Sequence, residues 1–134
     1  SHRPFDLITI MLGTNDLKYR FSLSAFDIAE SVGVLVRQVQ QSQAGPQENA
    51  PIPLLIAPPP LAKLNEFEEM FKGGSEKSQL FGKYYQKKAL EMGCQFLDAA
   101  EFIQSSDLDG IHFEREEHRI PGETVGKKIK QIFL

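Results

Sequence analysis

Cysteine is nearly absent from the 134 residues: Cys94 stands alone. One thiol excludes an internal disulfide and a zinc cluster of several thiolates, and it suits a reducing compartment. Any excess of positive charge is lacking too. Fifteen Lys and Arg stand against eighteen Asp and Glu, a formal net charge of -3. A basic face of the kind nucleic-acid binding needs is therefore missing. No apolar run approaches the roughly 20 residues that span a bilayer. The opening Ser1-His2-Arg3-Pro4-Phe5-Asp6 has no apolar signal-peptide core. These absences set three expectations: no nucleic-acid partner, no membrane partner, and a cytoplasmic location. Internal repeats and long low-complexity tracts are also missing.

What is present is ordinary globular composition, 41% hydrophobic and 25% charged, in a length that suits one modest domain and not two. The polar stretch from Gln41 to Pro51 holds Gly45, Pro46 and Pro51 and no large apolar side chain. It reads as a surface loop between elements. Three short apolar runs read as strands. Leu7-Ile8-Thr9-Ile10-Met11-Leu12 is almost continuously apolar, as where both faces of a strand are covered. Ile52-Pro53-Leu54-Leu55-Ile56-Ala57 is similar, with Pro53 confined to its beginning. Gln95-Phe96-Leu97-Asp98 is shorter and follows Gly93, a helix stop.

Segments of helical period lie between them. Ser24-Ala25-Phe26-Asp27 has capping-box spacing, and Ile28, Val32, Leu35 and Val39 then form an amphipathic stripe. A second helix is predicted from Ser75 to about Met92, with Leu80, Tyr84, Lys88 and Met92 along one side. A last helix opens at Pro121-Gly122-Glu123 and buries Val125, Ile129 and Ile132. Alternation of strand and helix is the signature of a parallel sheet with helices on its faces. Crossover handedness brings the carboxyl ends of the strands to one edge, where open α/β sheets bind ligands. Chemistry is thus expected just after residues 12, 57 and 98.

Two groups of residues at that edge suit acyl transfer. Gly13-Thr14-Asn15-Asp16 follows the first strand, and an Asn side-chain NH2 at a strand end can donate to an oxyanion. Asp107-Leu108-Asp109-Gly110-Ile111-His112-Phe113 follows the third. There an Asp three residues before a His can fix the imidazole tautomer, and His has the pKa of a general base near neutrality. Each group alone is also good turn chemistry. It is their order, at strand ends, that points to function.

Together these residues resemble the SGNH hydrolases, also called the GDSL esterase/lipase superfamily. Gly13-Thr14-Asn15-Asp16 matches the G-x-N-D block, and Asp109-Gly110-Ile111-His112 matches the D-x-x-H block. The likeness is nearest to bacterial arylesterases and acyltransferases. It extends to Pro58-Pro59-Pro60-Leu61 and to the loop ending Met70-Phe71-Lys72-Gly73-Gly74. The resemblance implies an α/β fold, a flavodoxin-like three-layer sandwich around a parallel sheet. It implies that Asn15 stabilises the oxyanion, His112 acts as general base and Asp109 orients it. Thr14, Phe71 and Ile111 would line the acyl or alcohol pocket. It further implies a small-molecule ester substrate, no cofactor, no metal, and a homo-oligomer.

The departure from the pattern is large. The block with the nucleophilic serine, a Gly-Asp-Ser-like turn, occurs nowhere in the sequence, nor does the block whose Gly donates to the oxyanion hole. In the family both lie upstream of G-x-N-D. Residues 1–134 are therefore expected to be the C-terminal two-thirds of one such domain, incomplete at the N-terminus, with the serine on an upstream segment. Ser105 and Ser106 share a loop with Asp109 and His112, which is poor geometry for attack. Asp107, Asp109, His112 and His118 lack both the one-turn spacing of a zinc helix and the remainder of a calcium loop. Leu61, Leu64, Phe67, Met70 and Phe71 recur at helical spacing after the second strand, which suggests a lid over the pocket or a subunit interface. The competing reading is a non-catalytic binding or assembly fragment that keeps the fold without the chemistry.

Overall fold

The computed structural model describes residues 7–101 apart from 44, 46 and 48. Among these residues three strands, β1 (Leu7–Ile10), β2 (Ile52–Ala57) and β3 (Gln95–Asp98), form one parallel sheet in that spatial order. Leu7 pairs with Ile52 and Ile10 with Leu55, while Leu54 pairs with Gln95 and Ala57 with Asp98. The carboxyl ends of all three strands thus lie along one edge, as the alternating pattern requires. β2 is central, and from Pro53 to Ala57 every residue is buried. That explains its unbroken apolar run, since a central parallel strand has no face left for water.

Helix α1 (Ala25–Gln40) connects β1 to β2, and helices α2 (Gly74–Ser78) and α3 (Phe81–Met92) precede β3. The capping box forms as expected: Asp27 N–H donates to Ser24 Oγ at 3.0 Å, and Ser24 N–H donates to Asp27 Oδ2 at 3.2 Å. Strands added in one direction carry their crossover helices on one face. Accordingly α1 and α3 contribute to one core with Ile10, Leu55 and Ala57. Leu54, Ile56 and Ala99 form a smaller cluster on the opposite face of the sheet.

The helix stripes differ from the sequence expectation. On α1 the buried set is Ala25, Ile28, Ala29, Val32, Gly33 and Val36, while Leu35 is 38% exposed. On α3 it is Phe81, Tyr85 and Ala89, and Leu80 is 42% exposed. The expected line Tyr84–Lys88–Met92 faces α1 instead. Tyr84 meets Phe26 edge-on at 6.0 Å between centroids, Lys88 Nζ lies 2.6 Å from Glu30 Oε1, and Gln40 Nε2 donates to the Met92 carbonyl at 2.7 Å. A Cβ at Gly33 would come within 2.8 Å of the Lys88 side chain, so Gly there lets the helices approach. Helices lying side by side on a sheet have two contact faces, one for the sheet and one for the neighbour. A single-stripe reading merges them.

The segment after β2 is not one helix. It holds a 3-10 turn (Asn65–Phe67), further turns, and then α2. Asn65 has a positive φ of 53°, which interrupts any α-helical run. Leu61, Leu64 and Phe71 are nonetheless buried in the main core, with Phe67 packed against them, whereas Met70 is 49% exposed. The helix expected from Pro121 lies outside the described residues.

Candidate active site

The site begins where β1 ends. Gly13 takes φ 131° and ψ -23°, a backbone that L side chains rarely adopt, and redirects the chain into a 3-10 turn (Thr14–Leu17). Asp16 N–H donates to the Gly13 carbonyl at 3.1 Å, closing the turn. Leu17 fastens it from one side, fully buried in the main core. From beneath, Tyr85 of α3 donates its hydroxyl to the Leu12 carbonyl at 2.6 Å. The same hydroxyl occupies the place that a Cβ on Gly13 would take. Burial first, and the negative charge of Asp16 second, push the Tyr85 phenol well above its ordinary pKa of 10.0. The phenol is therefore a neutral O–H donor at every physiological pH.

Thr14 and Asn15 ride on this anchored turn. Thr14 is half-buried and Asn15 exposed, and among the described residues no hydrogen bond engages the Asn15 amide. An unengaged NH2 at the ligand edge of a parallel sheet is what an oxyanion donor requires, because its hydrogen bonds stay available for the charge that develops.

The segment after β2 leans on the same turn. Tyr19 N–H donates to the Met70 carbonyl at 2.8 Å, and Gly74 packs against Leu17. Buried Ser78 holds the start of this cap. Its hydroxyl accepts from Leu61 N–H at 2.9 Å and donates to the Ser75 carbonyl at 2.7 Å. Phe71 is 2% exposed, part of the main core, and borders a hollow of about 500 Å³ with Leu64, Lys72 and Gly73. Thr14 and Asn15 do not line that hollow. Asp98 ends β3 at the same sheet edge, where Oδ1 accepts from Ala100 N–H at 3.0 Å and the carboxylate fits over Gly82.

Thr14 and Asn15 are thus together at the predicted edge, with Phe71 in the neighbouring cap. Asp109, Ile111 and His112 lie outside the described residues, as do Ser105, Ser106, Asp107 and His118. Half-buried Cys94 packs beside the core, and desolvation raises its thiol pKa. The residue that sequence reasoning passed over is Tyr85. Its signal was available in Phe81, Tyr85 and Ala89, spaced four and four, but Leu80 and Tyr84 offered a competing stripe.

No family model and no curated protein sequence matches the chain. Solved structures do. An aryl esterase from M. smegmatis is 37% identical and superimposes with a TM-score of 0.90 over 97% of this chain. A carbohydrate acetylesterase from Sinorhizobium meliloti is 38% identical, with a TM-score of 0.92 over 98%. A carbohydrate acetylesterase family member from the same organism is 32% identical, with a TM-score of 0.89 over 97%. The chain spans 62–63% of the length of these structures. Sequence identity above 30%, the parallel sheet and the Gly13–Asp16 turn at its ligand edge agree, and the chain belongs to the SGNH hydrolase superfamily.

Proposed function

We propose that this chain supplies the oxyanion donor and the general base of a serine esterase or acyltransferase acting on small aryl or alkyl carboxylic esters. The observation that carries the reading is Asn15: exposed, its side-chain amide without a hydrogen bond among the described residues, and held on an anchored turn at the sheet's carboxyl edge. Similarity to an aryl esterase and to carbohydrate acetylesterases supports the ester chemistry.

In this mechanism the nucleophilic serine comes from outside residues 1–134. Its Oγ attacks the ester carbonyl carbon while His112 accepts the hydroxyl proton. Charge collects on the former carbonyl oxygen, to which the Asn15 NH2 donates. Collapse of the tetrahedral adduct breaks the ester C–O bond, and the leaving alcohol takes the proton from His112. Water or a second alcohol then attacks the acyl-enzyme by the same route, again with His112 as base. Asp109 holds the His112 tautomer. Thr14, Phe71 and Ile111 border the acyl or alcohol group. The active species is a cytoplasmic homo-oligomer without metal or cofactor, and a clean monomer on gel filtration would remove the oligomer from this reading.

A second reading is a binding or assembly fragment without catalysis. One feature favours it: an apolar hollow of about 590 Å³ along β1, lined by Ile8, Ile10, Leu12, Leu35 and Val39. The discriminating experiment is p-nitrophenyl acetate turnover by this polypeptide and by one extended upstream. Activity in the longer polypeptide that His112→Ala abolishes supports the esterase. Activity in neither supports the assembly fragment.

A further inference from the structure

Tyr85 is the one buried phenol at the foot of the Gly13–Leu17 turn, and the mechanism above does not use it. We infer that Tyr85 is a positioning residue, which sets the place of the Asn15 amide by clamping the backbone at Leu12 and Gly13. The inference rests on Asn15 being the oxyanion donor.

Three observations converge on it. Tyr85 is fully buried and tilted against Phe81 at 5.1 Å between ring centroids, so α3 fixes where its hydroxyl sits. That hydroxyl bonds the Leu12 carbonyl at 2.6 Å across 73 residues of sequence. Leu12 is itself 51% exposed, so its side chain contributes little to holding the backbone there. Finally, Gly13 leaves the space the hydroxyl fills, and its positive φ turns the chain so that Asn15 reaches the edge two residues later. An exposed polar side chain on a short turn has no packing of its own to place it. Its position is inherited from the backbone beneath, and a misplacement of about 1 Å can cost on the order of 100-fold in rate.

The test is a double-mutant cycle on p-nitrophenyl acetate hydrolysis in the esterase-active polypeptide, with Tyr85→Phe, Asn15→Ala and both together. Asn15→Ala is expected to lower kcat by about 100- to 1000-fold. Tyr85→Phe, which removes one oxygen and keeps the ring, is expected to lower kcat by about 10-fold with KM unchanged. In the Asn15→Ala background the same change is expected to cost less than about 2-fold, because the amide it positions is gone. An equal loss in both backgrounds, or no loss in either, overturns the inference while leaving Asn15 in its role. If Asn15→Ala itself costs nothing, the oxyanion reading falls and takes this inference with it.

A second readout does not depend on turnover. With selective 15N-Asn labelling, the side-chain NH2 resonances assigned to Asn15 are expected to shift or broaden in Tyr85→Phe. Unmoved resonances overturn the inference even if activity falls.

Discussion

The turn after β1 and the cap after β2 sit side by side, yet they are held in opposite ways. The turn leaves Asn15 exposed and secures its backbone, through the Tyr85–Leu12 bond and the Leu17 anchor. The cap secures its side chains, Leu61, Leu64 and Phe71, and leaves Met70 and a row of charged residues outside. Polar atoms fixed through the backbone keep their donors for a ligand, whereas apolar atoms fixed by burial are already committed to the core. Chemistry is thus expected from the turn, and shape from the cap.

Changes in the two regions should separate cleanly. A change in the turn acts on rate: Asn15→Ala should cost roughly 3–4 kcal/mol of barrier in steady-state ester hydrolysis, with the thermal midpoint unmoved. In the cap the order reverses. Phe71→Ala should destabilise by about 3–5 kcal/mol in denaturant unfolding, from lost burial plus a cavity. Met70→Ala, one residue away and half-exposed, should stay within about 0.5 kcal/mol. Ser78→Ala should cost about 1–3 kcal/mol in the same assay, because the Leu61 N–H that it receives becomes a buried donor without a partner.

The smallest separation is in pH. The Tyr85 phenol is pushed above its ordinary 10.0 in the folded chain, by burial and then by Asp16. The folded state therefore holds its proton where the unfolded chain has lost it. Stability from this group is fully present below about pH 10 and declines as pH rises beyond it. The added slope reaches at most about 1.4 kcal/mol per pH unit, and Tyr85→Phe should remove it. Lys88 titrates in the same alkaline range, since its hydrogen bond to Glu30 and then that to Glu91 raise its pKa. Only the difference between wild type and Tyr85→Phe isolates the phenol. Equal alkaline slopes would detach Tyr85 from the stability of the turn.

Much of the fold and of the Gly13–Asp16 turn was legible in the sequence, for identifiable reasons. The run Ile52–Ala57 could be read as a strand because a central parallel strand is apolar on both faces. Ser24 and Asp27 announced the start of α1 because capping chemistry is local. Asn15 was legible through Gly13, since a turn at a strand end has few residue types that suit it. What escaped was non-local. Whether Leu80 or Phe81 faced the sheet depended on where α1 lay, and small residues such as Ala29, Gly33 and Ala89 carried contacts that a hydrophobic stripe does not weigh. The cap's spacing imitated a helix, but the backbone there forms a 3-10 turn and further turns, with Asn65 left-handed. The bond from Tyr85 to Leu12 spans 73 positions and has no local signature at all.

Under the proposed function Asn15 and His112 furnish donor and base while the nucleophile lies elsewhere. Treating the upstream-extended polypeptide with an aryl organophosphate and mapping the labelled peptide by mass spectrometry locates that nucleophile. Serine Oγ attack on phosphorus releases the phenolate and leaves a stable phosphoserine ester. One labelled serine is expected, outside residues 1–134, with labelling suppressed by His112→Ala. A label on Ser105, Ser106 or any other serine within the chain, or labelling indifferent to His112, would overturn these assignments.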